Sequence, residues 1–171
     1  MELNVPLQVI GIARTGRTAL DATPIQAAIN RAEHGTIEIG EAYKDGLDGL
    51  AGFSYAWMLT WLHESGDPAL EPDMSRMPFL LRKQGRRVGL FATRAPRRAN
   101  PIGLSLIEIL AVTGSSVSFA GVDVIDGTPV IDIKPYVTKF DRPPVDPHCG
   151  WFDEVTVEQG VTPAKLTPPD L

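Results

Sequence analysis

The densest run of chemistry-bearing side chains is Phe91-Ala92-Thr93-Arg94-Ala95-Pro96-Arg97-Arg98-Ala99-Asn100-Pro101-Ile102-Gly103-Leu104-Ser105. It reads as a short strand that ends in an arginine and opens into a loop. Pro96 and Pro101 restrict that loop, which lowers the entropy cost of presenting its side chains. The forks of Arg94, Arg97 and Arg98 match a carboxylate or phosphate bidentately. Asn100 can satisfy loop backbone or read a base edge. By composition alone, a stiff surface loop with solvated arginines describes the segment equally well. A second run, Val124-Ile125-Asp126-Gly127-Thr128-Pro129-Val130-Ile131-Asp132-Ile133-Lys134-Pro135-Tyr136, has a tight Asp-Gly turn. Asp132 and Lys134 share a face of the strand that follows, and an exposed ion pair there would be worth little.

The charge is unevenly placed. The chain of 171 residues has a formal net charge of -5. From Met74 to Ile107 it carries eight of its 16 Lys and Arg residues and no acid. A positive patch within an acidic protein can hold a polyanion locally while the rest of the surface discourages nonspecific contact. The plain alternative is a solvated loop face.

The elements that must position these residues are short. Val5 to Ile12, Thr36 to Ile39, Val88 to Thr93, Leu104 to Val112, Ser116 to Val124 and Thr128 to Ile133 read as strands. In Phe53 to His63 the residues Phe53, Tyr55, Trp57, Leu59, Trp61 and His63 share one parity, and the aromatic content favours a strand over a helix. Thr23-Pro24-Ile25-Gln26 resembles a helix start, with helix formers to Glu33. Glu64 to Met77 reads as a polar loop. Beyond Lys134 the many prolines leave little room for regular structure, and the last eight or so residues read as a loose tail. Many short strands with few helices predict a mainly β, barrel or sandwich domain. Residues 1–140 are taken as that domain and 141–171 as a proline-rich segment packing on it.

Other chemistries find little support. Gly11 to Thr18 nearly spells a P-loop, but Arg17 stands where lysine is needed and Pro24 interrupts the required helix. No dinucleotide-binding glycine pattern follows a strand. His34, His63 and His148 are scattered, so no metal site is expected. Cys149 is the single cysteine, which excludes an internal disulfide and suggests a reducing compartment; it reads as an ordinary thiol rather than a nucleophile. No signal peptide is expected, and the apolar stretches are too short to span a bilayer as a helix. A soluble, cytoplasmic protein is expected.

The two long segments, in this order, resemble the TsaA-like β-barrel proteins, the tRNA N6-threonylcarbamoyladenosine methyltransferases. Their signature reads approximately FATRSPFRPNPIGLS followed by DLVDGTPVLDIKPY. The stretch from Ile37 to Ser65 and the opening Ile10 to Gly16 also resemble the family. The resemblance implies an antiparallel barrel with few short helices, usually a homodimer with the site near the subunit interface. It implies S-adenosylmethionine as methyl donor and tRNA as partner, with methylation on N6 of threonylcarbamoyladenosine beside the anticodon. Carried over by position, the cofactor residues are Ala27, Ala28, Ile29, His63, Glu64, Arg94, Leu104, Ala120, Gly121, Val122 and Asp123. The family more often has Gln where Glu64 stands, and it tends to be irregular near Thr23. Ala99 replaces a usual proline. The C-terminal extension that longer members use toward RNA is expected to be missing.

Methyl transfer from a sulfonium needs in-line positioning above all. A base for the ureido-like nitrogen would help, and His63 and Asp126 are the candidates, with hydrogen bonding to the cofactor the favoured role of His63. Arg94 is assigned to the cofactor carboxylate. Arg97, Arg98 and Asn100 are assigned to the substrate. Two readings stay open beside this one: a methyltransferase of a small molecule or protein, and a noncatalytic RNA-binding module.

Overall fold

A computed structural model describes residues 5–66 and 73–166. Its strands are β1 (Gly11–Arg14), β2 (His34–Ile39), β3 (Tyr55–Trp61), β4 (Ser75–Arg76), β5 (Val88–Gly89), β6 (Ile102–Thr113), β7 (Ser116–Ala120) and β8 (Thr128–Pro135). Two one-turn helices, α1 (Thr138–Asp141) and α2 (Pro163–Leu166), follow. Six strands close a barrel in the order β1-β2-β7-β6-β3-β8, and β4 and β5 form a separate pair. Every pairing is antiparallel.

Closure comes from two strands that change partner along their length. The 12-residue β6 pairs with β3 from Ile102 to Glu108 and with β7 from Glu108 to Thr113, with a register shift between Ile109 and Ala111. β8 likewise pairs with β1 near Thr128 to Val130 and with β3 from Val130 to Pro135. Such staggered pairing, assisted by bulges, curls a sheet until its edges meet.

Six strands enclose a narrow interior, and this decides which face of β3 points in. Ala56, Met58 and Thr60 are fully buried, while Tyr55, Trp57, Leu59 and Trp61 are half-buried on the outer face. The aromatic parity is therefore the outside one. Trp57 packs edge-on against Tyr136 there, with ring centroids 6.0 Å apart. The interior is completed by Ala13, Ile37, Ile107, Val117, Phe119 and Val130, all fully buried.

Four expectations shift. The helix expected from Thr23 to Glu33 is a single 3₁₀ turn, Ala27–Ile29. Its amides are drawn to distant acceptors instead: Ile25 N–H donates to Val161 O, and Ala27 N–H to Asp123 Oδ2. The first strand begins at Gly11, with Val5, Leu7 and Val9 exposed. Val88 to Thr93 splits into the two-residue β5 and a 3₁₀ turn, Leu90–Ala92, which leaves Phe91 77 % exposed. The strand expected to reach Val124 stops at Ala120, because Gly121 takes a φ of +96° and turns the chain. The others keep their place within a few residues. Of the expected loop at 64–77 and the expected tail, residues 67–72 and 167–171 lie outside the described residues; among the described ones, 163–166 form α2.

Antiparallel order fixes the ends. The connections 15–33, 62–101 and 121–127 all emerge at one end of the barrel, and the β2–β3 connection and the β6–β7 hairpin at the other. Gly103 anchors this end. It pairs with Thr60, and a Cβ there would fall 2.3 Å from Thr60 Oγ1 and 3.0 Å from Leu62 Cδ2. Leu62 N–H donates to Pro101 O at 2.8 Å. Gly103→Ala is expected to cost about 1–3 kcal/mol through overpacking, read as a lower urea midpoint with an unchanged slope.

Candidate active site

The 15–33 and 121–127 connections meet the start of β6 at Asp123, with Arg94 of the 62–101 connection near enough to act on its charge. Leaving β7, the chain turns at Gly121, where a Cβ would lie 3.2 Å from Ala27 O. Only a glycine allows so close an approach at this φ. Asp123 is then half-buried. Its Oδ2 accepts Ala27 N–H at 2.9 Å and its Oδ1 accepts the Ser105 hydroxyl at 2.7 Å. Burial pushes this carboxyl up to about 6, while the Ser105 and Ala27 hydrogen bonds and the positive charge of Arg94 pull the other way.

A second set of bonds holds the 15–33 connection against the same turn. Asn30 Nδ2 donates to Val122 O at 2.7 Å and to Glu33 Oε2 at 2.8 Å. Gly121 N–H donates to Glu33 O at 3.0 Å. Arg17 grips Glu33 bidentately, with Nε 2.8 Å from Oε1 and Nη2 2.6 Å from Oε2, and its Nη1 donates to Ala22 O. That fork holds the Glu33 carboxyl below its usual value. The P-loop-like segment is thus a strand and a structural turn.

The arginines of the 91–105 segment divide by role. Arg94 is exposed and donates to Gln26 Oε1, the residue before the Ala27–Ile29 turn. Arg98 turns back into its own loop, donating to the carbonyls of Thr93 at 3.0 Å and, more loosely, Leu90 and Ala95; its guanidinium lies 5.8 Å from the Phe91 ring centroid. Arg97 is half-buried, with its stem against Gly66 and its Nε buried without a partner among the described residues. Elsewhere in the basic run, Arg86 pairs with Glu154 at 2.7 Å and Arg87 with Asp73 at 2.8 Å. The patch is therefore partly neutralised by its own fold.

The other sequence-derived residues lie at the same end. His63 and Glu64 follow β3, both exposed, with Nε2 3.8 Å from Oε1. Leu104 is 47 % exposed, on the face opposite Ser105. Asn100 is exposed, and its carbonyl accepts Ile102 N–H. Asp126 sits on the β1 flank, where Oδ1 accepts Thr15 N–H at 3.0 Å and Oδ2 lies 3.8 Å from Arg14 Nη1. His63 and Asp126 thus leave from different strands. Ser105, Gln26 and Asn30 were not singled out by sequence. Strand parity with Leu104 could have found Ser105; nothing local marks the other two. A concavity lined by Glu41, Lys44, Leu47 and Gly114 is at the opposite end, away from this set. Among the described residues, no cluster of three His, Cys, Asp or Glu is placed to hold a metal ion, and no helix is long and apolar enough to cross a membrane.

The raised Asp123 carboxyl has a consequence for stability. The folded protein keeps a proton that the unfolded chain, with the usual aspartate value of 3.8, releases between pH 4 and 6. Stability therefore falls as pH rises through that window. Asp123→Asn can keep both hydrogen bonds and lacks the titration. Relative to it, the wild type is expected to lose up to about 3 kcal/mol from pH 4 to 6, measured by urea denaturation at each pH.

Residues 12–142 match the family model described as tRNA-methyltransferase O N-terminal domain. A probable S-adenosyl-L-methionine-binding protein of Methanothermobacter thermautotrophicus is 35% identical over 140 residues, which cover 82% of this chain and 96% of that one. The tRNA (adenine(37)-N6)-methyltransferase of Escherichia coli is 35% identical over 134 residues, covering 75% of this chain and 56% of its own length. The crystal structure of TrmO from Pseudomonas aeruginosa superposes with a TM-score of 0.71 at 30% identity, over 90% of this chain and 63% of that one. The chain thus spans nearly all of the archaeal relative but little more than half of the bacterial enzyme. Matched over most of its length in sequence and in barrel topology, the chain belongs to the tRNA-methyltransferase O N-terminal domain family.

Proposed function

We propose that this end of the barrel binds S-adenosylmethionine and directs its methyl group to N6 of threonylcarbamoyladenosine at position 37 of tRNA, in a cytoplasmic homodimer. The observation that carries the reading is the pairing of opposite charges around one turn. A half-buried carboxylate, Asp123, bonded to the Ala27 amide, and an exposed guanidinium, Arg94, bonded to Gln26, both lie against the start of the segment Ala27–Ile29. A ligand with hydroxyl or ammonium donors at one end and a carboxylate at the other is complementary to that pair. Exposed apolar side chains at Phe91, Ile102 and Leu104 suit an aromatic base. The donor set fits the cofactor.

When bound, the cofactor supplies a methyl group on a sulfonium, an activated leaving group. The protein supplies position. Asp123, held by Ser105 and Ala27, accepts from the ligand without reorganising. Arg94, oriented by Gln26, receives the carboxylate. Backbone groups of Ala27 to Ile29 and Ala120 to Val122 form the walls, with Leu104 and Glu64 at the rim. His63 hydrogen-bonds the cofactor or takes the N6 proton, and Asp126 is the other candidate base. Arg97, whose Nε has no partner among the described residues, faces the tRNA phosphates or the threonyl carboxylate. Arg98 shapes the loop on which Arg97 and Asn100 are presented.

The decisive test supplies radiolabelled S-adenosylmethionine and tRNA with or without the threonylcarbamoyl group. Label is expected only in the modified tRNA; label in neither would overturn the assignment. Cofactor affinity is expected to fall as pH drops through 6, up to about tenfold per unit as Asp123 takes a proton, and Asp123→Asn should flatten that profile in calorimetry. Arg94→Ala is expected to weaken cofactor binding more than tRNA binding, and Arg97→Ala the reverse. Equal losses would refute the division. Affinity for tRNA is also expected to fall as salt concentration rises.

A further inference from the structure

We propose that residues 150–166 act as a strap that sets the spacing between two walls of this site, with Trp151 as its positioning residue; the inference rests on the cofactor reading above. The strap lies C-terminal to residues 12–142, the part matched by the family model. It touches both walls. At one, Trp151 is buried and its indole N–H donates to Ala92 O at 2.7 Å, two residues before Arg94. Phe152 stacks on the indole at 3.8 Å between centroids. At the other, the strap brackets the Ala27–Ile29 turn. Ile25 N–H donates to Val161 O at 3.2 Å before the turn, and Gly160 N–H donates to Ile29 O at 2.6 Å after it. Ala164 N–H reaches Asp21 O at 2.9 Å. Val161 and Thr162 are buried in the process.

These contacts have a consistent geometry. The Ala27–Ile29 turn and the Ala92–Arg94 segment are linked by the side-chain bond from Arg94 to Gln26, the residue before the turn. Neither is part of a barrel strand. A third segment bonded to both removes their relative freedom, which lowers the ordering cost of binding a ligand between them. Gly160, at a φ of +61°, makes the turn that brings Val161 back to Ile25. By linkage, a ligand held by both walls stabilises the strap as much as the strap stabilises the ligand.

Two measurements on the full chain test this. Trp151→Phe removes the indole N–H while keeping a ring in the pocket. It is expected to weaken S-adenosylmethionine binding about three- to tenfold by calorimetry, raising the cofactor KM with kcat unchanged. In the wild type, saturating S-adenosylmethionine is expected to slow amide hydrogen exchange at Gly160 and Ala164. This second measurement needs no variant and stands even if Trp151→Phe fails to fold. Wild-type affinity in the variant, or exchange at both amides indifferent to the cofactor, would overturn the strap and leave the cofactor reading intact. A wild-type protein that binds no S-adenosylmethionine would overturn both.

Discussion

One half-buried carboxylate ties this end of the barrel together. Asp123 is enclosed between the Ala27 amide and the Ser105 hydroxyl, so it joins the connection before β2, the inner face of β6 and the turn after β7. An acid drawn partly out of water needs its oxygens satisfied, and here each oxygen has a donor from a different part of the chain. Incomplete compensation leaves the group titrating near 6. A site built this way is held in shape before any ligand arrives, and it keeps acceptor strength for one.

Around that centre, charge is divided between architecture and recognition. Arg17 is committed to Glu33, Arg86 to Glu154, Arg87 to Asp73 and Arg98 to its own loop carbonyls. Arg94 and Arg97 carry less. The forked guanidinium makes this economical, because one side chain can bind two or three acceptors and stiffen a loop that lacks regular structure. A basic stretch in sequence is therefore a poor measure of the positive surface the folded protein offers.

The barrel constrains the site from beneath. Its narrow interior admits Ala56, Met58 and Thr60 from β3 and pushes Trp57 and Trp61 outward. The same lack of space explains the glycine of the signature loop, since Gly103 lies against Thr60 and Leu62. Motif residues here answer partly to packing: Pro101 receives Leu62 through its carbonyl, and Gly103 lets β6 start in register with β3.

Much of this was legible along the chain. Alternating apolar residues marked the strands, the two prolines marked a stiff basic loop, and the resemblance of two long motifs pointed to the family, because these signals are local or carried by contiguous residues. Other features were decided in three dimensions. The helix signal at Thr23 was real in isolation, but amides of that segment bond to Val161 and Asp123, far along the chain, and only one turn survives. The parity of β3 was readable, but which face points inward depends on how many strands close the barrel. Asp123 lay in a run chosen by resemblance, yet its burial, its partner Ser105 and its raised proton affinity arise from strands that meet only on folding. Sequence determines what each segment prefers; the tertiary structure decides which preferences hold, because each burial and long-range hydrogen bond depends on a neighbour supplied by another part of the chain.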